Sequence, residues 1–476
     1  MSEINIPNTV LISFAHPGPS YGVNLISAVL KQSGYPVSTI YFPPQRNNSI
    51  LSDREYNALV EKCFELEPDI VGISLMSSTY SDAIHISSEL KKKKKDLLIV
   101  WGGIHPTLEP ELCLEHADIV CRGEGEEATL KLVRAVQLKT SYDNIENLWI
   151  RKKDEILKNP AALITDLDTV PFADQECRDK YILSKNEIID LKEQSNTFFL
   201  MTSRGCHFSC FFCSNQAIKE VYNKYRVRRR SVDNVINELR LARKSNQNIT
   251  DIFICDDIFT YDLDWVKDFS EKYKKEIGLP FQCFTHPEFA KEEMIKTIKD
   301  TGCNNVSMGI NGCNKRMRMM FNRKSSDKTI ITACQVVVKN NFKFFNIDII
   351  LSPFDTKEDR QEGLEFLLKL PKPFFTNLNY LTFFPQTDVA KMGLEMGMVS
   401  KEEIIFIQKN NPFKNYKKIF FSRDGKWWAL YTLCGKNRVP NWLIKIAVKI
   451  PVLAISLFAI MKLYEIQSQI VQKIKS

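Results

Sequence analysis

Thr197-Phe198-Phe199-Leu200-Met201-Thr202-Ser203-Arg204-Gly205-Cys206-His207-Phe208-Ser209-Cys210-Phe211-Phe212-Cys213 carries an apolar, strand-like run straight into three closely spaced cysteines. Cysteine thiolates are the usual ligands of a 4Fe-4S cluster. Three of them leave one iron of four open to a small molecule, much as a catalytic zinc site keeps an open position. An open iron points to chemistry rather than electron storage. A structural zinc is one alternative, and three unligated core thiols are another. Zinc asks for a fourth ligand and usually a second Cys-x-x-Cys pair, and no second pair follows in this chain. His207 lies inside the triplet, too tightly placed to cap the same metal easily.

A chain of 476 residues predicts two or three domains. With 44% hydrophobic and 26% charged residues it has the composition of a soluble globular protein. Thirteen cysteines, and a first stretch Met1–Asn5 without basic or apolar signal character, predict a reducing, cytoplasmic setting. The formal charge of +8 is uneven. Residues 413–476 hold twelve Lys/Arg against Asp424 and Glu465, a net +10 that leaves −2 for the rest.

Upstream of the cysteines the pattern is alternating short strands and helices. Val10–Phe14, Val37–Phe42, Asp69–Leu75, Leu97–Trp101 and Asp118–Arg122 read as strands, with helices over Asn24–Gln32 and from Glu126. Continuous apolar strands are what a parallel sheet covered on both faces requires. The expectation is a doubly wound, flavodoxin-like α/β domain over residues 1–150, with ligands beyond the carboxyl ends of the strands. Those ends carry Ser74, Leu75 and Ser77, then Gly102, Gly103 and His105, then Gly123, Glu124 and Gly125. Glycine there lets a bulky ligand approach the backbone. On its own the pattern fits a response-regulator domain about as well.

A Pro- and Asp-punctuated stretch, Ile164–Asp174, marks a linker over 151–194. Alternation resumes over 195–412, with further strands at Asp251–Cys255, Phe281–Phe284, Asn305–Ile310, Phe344–Leu351 and Leu378–Phe384. Six strands with intervening helices predict a partial (β/α)6 barrel, with its reactive groups at the carboxyl ends of the strands. Asp256 and Asp257 follow one such strand, where they also read as helix N-caps. Asp348 interrupts an apolar strand and needs a partner. Arg226, Arg228, Arg229 and Arg230 face a carboxylate or phosphate, or form a solvated cluster, before the helix Val235–Lys244.

The segment Thr202–Cys213, with an aromatic residue before its last cysteine, resembles the cluster loop of radical S-adenosylmethionine enzymes. In that family the open iron binds S-adenosylmethionine, and an electron from the cluster cleaves it to a 5′-deoxyadenosyl radical. The three glycine-bearing loops together resemble the cobalamin-binding domain found ahead of many such cores. The resemblance implies Cys206, Cys210 and Cys213 as cluster ligands, with Phe212, Asp256, Asp257, Ser307, Asn311 and Asp348 near S-adenosylmethionine. It implies Ser74, Leu75, Ser77, Gly102, Gly103, His105, Gly123, Glu124 and Gly125 around cobalamin. Three departures stand out. The loop Ala15–Gly22 lacks the Asp-x-His-x-x-Gly of methionine-synthase-type domains, which favours a surface or hydrogen-bonding role for His16 over a cobalt ligand. Asn311 stands where relatives commonly carry glutamate, and Ser352-Pro353-Phe354 replaces their glycine-rich turn.

The tail, residues 413–476, is helical, basic and aromatic, with Trp427, Trp428, Trp442 and the run Ile446–Met461. That run falls short of the ~20 residues that span a bilayer. It reads equally as an interfacial helix, with lysines toward anionic headgroups, or as a helix packed on the barrel. Base-stacking residues do not interleave its charges, so nucleic acid is not expected. The implied activity is methyl transfer to an unactivated carbon of an apolar or lipid-like small molecule, fed by a reductant such as flavodoxin or ferredoxin. Cyclisation or oxidation, or a non-catalytic cluster-and-corrin sensor, are the alternatives. The setting is cytoplasmic, with peripheral contact at the inner face of the membrane as an extension; no catalytic side chain is assigned.

Overall fold

The computed structural model describes residues 6–43, 51–153, 155–409, 425–437, 439–450 and 453–459. The chain divides into two compact units, Met1–Ile252 with Phe383–Lys414 and Phe253–Thr382 with Asn415–Ser476.

In the first unit the apolar runs become parallel strands β1 (Thr9–Ser13), β2 (Val37–Tyr41), β3 (Ile70–Ser74), β4 (Leu98–Gly102) and β5 (Ile119–Cys121). Their order is β5-β4-β3-β1-β2, the doubly wound arrangement expected. Alternate residues serve opposite faces. Val10, Ile12, Ile73, Ile99 and Trp101 pack with Tyr56, Leu59, Ala83, Ile86 and Leu90 of the helices Asp53–Glu65 and Tyr80–Lys93. Leu11, Val37, Ile70, Val100 and Ile119 pack with Val23, Leu30, Leu132 and Val133 of Tyr21–Gln32 and Glu126–Leu138. Burial on both faces is why these strands read as unbroken apolar runs.

The sheet is wider than the sequence reading. β6 (Leu148–Arg151) and β7 (Ile156–Lys158) add an antiparallel hairpin beside β5. β8 (Lys180–Ser184) lies parallel to β2, and β9 (Glu187–Asp190) antiparallel to β8. The stretch expected as a linker, 151–194, thus contributes to both edges of a nine-stranded sheet. Edge strands face water, so β9 exposes Glu187 and Asp190 and carries no apolar run that hydropathy could flag.

β10 (Thr197–Leu200) leads into β11 (Ser203–Arg204), which pairs antiparallel with β12 (Arg228–Arg229). The helix Val232–Ser245 starts three residues before the Val235 expected, directly after Ser231, whose hydroxyl accepts from Asn234 N at 3.2 Å. β13 (Asp251–Ile254) follows. In the second unit β14 (Phe281–Thr285), β15 (Cys303–Asn311), β16 (Phe344–Leu351) and β17 (Phe375–Tyr380) run parallel in sequence order. Helices Glu292–Thr301, Asp327–Lys339 and Lys357–Leu367 alternate with them. The last strand begins three residues before the Leu378–Phe384 expected. Its polar positions Asn377 and Asn379 are exposed, so the apolar run after it misled the reading.

The helix Gly425–Cys434 packs on the helix Lys357–Leu367 and β17, with Trp427, Ala429, Leu430, Leu433 and Cys434 buried. Tyr431 donates to Arg360 O at 3.0 Å, and Trp428 stacks on Tyr380 at 5.5 Å. This part of the tail, upstream of the run Ile446–Met461, is packed on the second unit. The next helix, Asn441–Lys449, buries Ile444 and Ala447 but exposes Trp442 and Ile446. Of the run Ile446–Met461, residues 451, 452, 460 and 461 lie outside the described residues. Among those described, no helix is long and apolar enough to cross a membrane.

Leu430 is fully buried. Leu430→Ala is expected to lower stability by about 2–5 kcal/mol. Exposed Trp442→Ala should change it by less than about 0.5 kcal/mol. Urea denaturation of the two variants separates these outcomes.

Candidate functional site

Because β3, β4 and β5 are neighbours, their three carboxyl-end loops lie side by side. Leu75 N donates to Gly102 O at 3.0 Å and His105 N to Leu75 O at 3.4 Å, which ties the first two loops together. Gly103 sits at φ +98°, and a Cβ there would lie 2.7 Å from Leu75 O, so only glycine fits. A Cβ on Gly102 would make ordinary van der Waals contact with Cys121, 3.7 Å from its Cβ, so Gly102 faces the neighbouring strand β5. His105 is wholly buried, its Nδ1 3.0 Å from the Ser77 hydroxyl and its ring 4.8 Å from that of Tyr80. Burial pulls its pKa from 6.5 to about 4, so the imidazole is neutral, and Nε2 has no hydrogen-bond partner among the described residues. Leu75 and Ser77 are buried with it, while Met76, which the sequence reading passed over, is exposed. His105 thus supports these loops from beneath, while exposed Met76 and the glycine backbone of residues 102–103 and 123 form their outer face, which fits a large planar ligand. His16 is exposed on its own loop.

The cysteine loop is held from both ends. Gly205 has φ +97°, and a Cβ on it would lie 2.3 Å from the Tyr225 hydroxyl, which accepts from Cys206 N at 3.0 Å. Cys213 N donates to Cys210 O at 3.0 Å, and Cys213 is the N-cap of the helix Ser214–Val221. Lys219 on that helix reaches back to Phe208 O at 2.7 Å and the Ser209 hydroxyl at 3.3 Å. Burial and that lysine hold His207 below its ordinary pKa. Cys206 and Cys213 are partly exposed, Cys210 is buried and Phe212 is half-buried. Among the described residues no three His, Cys, Asp or Glu side chains converge on a single ion. A cubane places its thiolates on separate irons and needs no such convergence.

Between these two sets of loops lies an ion-pair cluster that the sequence reading missed. Glu124 accepts from Arg204 at 3.0 Å, from Arg228 at 2.9 Å and from Ile164 N at 2.7 Å. Arg204 also pairs with Glu126 at 2.5 Å. The Tyr222 hydroxyl accepts from Glu124 N at 3.1 Å and lies against Gly123. Burial pushes the Glu124 carboxyl up, but Arg228 and Arg204 outweigh it and the net shift is down. Glu124, expected beside the cofactor, therefore has its carboxylate committed to arginine. In the run Arg226–Arg230, Arg226 is exposed but Arg228 and Arg230 are buried, the latter paired with Glu238 at 2.5 Å, so the solvated reading fails for these two. Nothing in the hydropathy marks Arg204, Tyr222 or Tyr225. The acids at Glu124 and Glu126 and the basic run were the available signal.

A cleft of about 1290 Å³ runs along the helix Tyr21–Gln32 and residues 172–199, away from these loops. Asp174 takes both Lys31 (3.1 Å) and Lys180 (3.2 Å) there, so these charges are matched within the chain.

In the second unit Ser307 and Asn311 on β15 and Asp348 on β16 share the less buried face of the sheet, opposite the core residues Val306, Met308, Ile310 and Ile347. That face is rich in amides. Asn305 donates to Gln282 at 3.1 Å, Asn346 to Asn305 at 2.8 Å, and Asn377 to Asp348 at 2.8 Å. Asn377 is the partner that Asp348 required, and burial raises its carboxyl pKa. Asn311 adopts φ +59° at the end of β15. Asp256 is buried and Asp257 exposed beyond β13. Neither caps the following helix, whose N-cap is Asp262, accepting from Trp265 N at 3.1 Å.

Residues 7–133 match the B12 binding domain family, and residues 200–367 match the radical SAM superfamily. An uncharacterized methyltransferase of Pyrococcus horikoshii is 27% identical over 361 residues, covering 74% of each chain. The anaerobic magnesium-protoporphyrin IX monomethyl ester cyclase of Rubrivivax gelatinosus is 24% identical, covering 83% of this chain and 68% of the cyclase. Among solved structures, the cobalamin-dependent S-adenosylmethionine radical enzyme OxsB with aqua-cobalamin bound shares the fold at a TM-score of 0.62 and 17% identity. That match covers 86% of this chain but 58% of OxsB, so the chain spans less than two thirds of its length.

Folding lowers the His105 pKa, so between pH 6.5 and about pH 4 the folded chain binds fewer protons there than the unfolded one. Its contribution to stability is full above pH 6.5 and is lost as pH falls through that window. His105→Asn can keep a hydrogen bond to Ser77 and removes the titration. The stability of the wild type relative to this variant is expected to fall by about 2–3 kcal/mol between pH 7 and pH 4. A difference that stays constant across the window in urea titrations refutes this.

Proposed function

We propose that this chain, a B12-binding radical S-adenosylmethionine protein, is an enzyme that transfers a methyl group to an unactivated carbon of a small molecule. One observation carries the reading. The loop bearing Cys206, Cys210 and Cys213 is anchored, through Arg204, to the glycine-rich loop after β5 within one compact unit. The likeness to a named methyltransferase supports methyl transfer. The likeness to a cyclase favours ring closure or oxidation as the second reading.

When bound, the cluster supplies the electron that cleaves S-adenosylmethionine, and cobalamin carries the methyl group. The chain's own residues bind and orient. Cys206, Cys210 and Cys213 would hold three irons of the cluster, while Tyr225 and Lys219 fix the loop that presents them. The Gly103 turn, where only glycine fits, keeps the loop after β4 on Leu75, and the backbone of Gly102, Gly103 and Gly123 would face the corrin. Phe212, Asp256, Asp257, Ser307, Asn311 and Asp348 are assigned to S-adenosylmethionine. The amide-rich face of β14–β17 suits a substrate with hydrogen-bonding groups around its target carbon. An electron carrier of the flavodoxin or ferredoxin kind serves as reductant.

Trp442 and Ile446 emerge from the helix Asn441–Lys449 beside exposed Lys445 and Lys449, the pattern of an interfacial contact with anionic lipid. The substrate then has a polar part for the amide face and an apolar part drawn from the membrane.

Anaerobically reconstituted protein is expected to form 5′-deoxyadenosine from S-adenosylmethionine under strong reductant. Cys206→Ala, Cys210→Ala and Cys213→Ala should each abolish both that product and the iron–sulfur absorption. A wild type with an intact cluster but no 5′-deoxyadenosine favours a sensor instead. Full-length protein should also cosediment with phosphatidylglycerol vesicles at low salt, less so at high salt or as Trp442→Ala. Absence of binding at low salt removes the membrane reading and leaves the enzymatic one standing.

A further inference from the structure

We propose that Glu124, Glu126, Arg204 and Arg228 are positioning residues that make cobalamin binding and cluster retention mutually dependent. The inference rests on the two-cofactor reading above and assigns it a coupling element. Gly123–Glu126 is the loop after β5 on the corrin side. Arg204 stands two residues before Cys206, and Gly205 between them is locked at positive φ by the Tyr225 hydroxyl against it. The Arg204 side chain is 16% exposed, that of Arg228 6%, Glu124 13% and Glu126 8%. Separating the two loops would strand these charges in a dry site, which is strongly unfavourable.

A second tie runs behind the triplet. The helix that starts at Cys213 ends at Val221, and the next residue, Tyr222, places its hydroxyl on Gly123 and Glu124 N. Tyr225, three residues on, accepts from Cys206 N. One short segment thus touches both loops: Arg204 ties the start of the cysteine loop to Glu124 and Glu126, and Tyr222, beyond the helix Ser214–Val221, ties its far side to Gly123 and Glu124. A ligand that orders the corrin-side loop restrains the cluster loop, and by reciprocity the cluster strengthens corrin binding by the same factor.

The test measures iron release to a chelator from reconstituted full-length protein, with and without hydroxocobalamin, and cobalamin affinity with and without cluster. In the wild type, cobalamin is expected to slow iron loss by about fivefold or more. Arg204→Gln and Glu124→Gln should still load both cofactors, yet show protection below about twofold, and the double variant should lose no more than either single one. Arg204→Lys, which keeps charge but not the forked geometry, should fall between. Tyr222→Phe, removing one hydroxyl, serves where an arginine variant fails to fold, and it too should weaken protection. Wild-type protection in folded, iron-loaded Arg204→Gln, or in Tyr222→Phe where that variant does not fold, overturns the proposal. A wild type that loads both cofactors without mutual protection overturns the coupling alone; one that loads neither overturns the underlying reading with it.

Discussion

Two guanidinium groups facing two carboxylates at the carboxyl end of β5 are the constraint around which the first unit is organised. Arg204 and Arg228 sit on the paired strands β11 and β12, so their side chains arrive together. Glu124 and Glu126 are held by the start of the helix Glu126–Leu138, where acidic residues suit the helix dipole. The backbone adds to the grip, since Ile164 N and Glu124 N are also satisfied here. A buried ion pair of this kind is weak evidence for stability as such, because desolvation opposes the attraction. Its clearer consequence is geometric. Removing one partner leaves a buried charge behind, so the two loops have a single arrangement.

The glycines of the neighbouring loops act in the same direction by different means. Gly103 lets the chain fold back on Leu75, and His105 is drawn beneath it to meet Ser77. The imidazole that sequence alone places on the ligand surface is therefore interior and neutral. The loop surface above it is backbone together with exposed Met76.

How much was legible follows from where each residue spends its side chain. The five central strands were readable because both faces are buried, which forces continuous apolar runs. β9 was not, since an edge strand facing water has no hydropathic signature, and β17 was displaced because its own alternation is of asparagine. The cysteine triplet announced itself, as ligand chemistry requires those residues at short spacing. Arg204 lies in the same quoted stretch and looked ordinary. Its meaning depends on Glu124, 80 positions away, and no local pattern encodes a pairing across that distance.

Sequence by itself therefore determined the cysteine triplet, the glycines and the βα alternation, because each is a property of residues close together in the chain. Tertiary structure alone decided which charges meet and which histidine is buried. It also decided that part of the tail packs into the second unit while Trp442 and Ile446 stay exposed. These depend on which elements become neighbours, and that is set by burying the sheet faces as a whole rather than by any segment's composition.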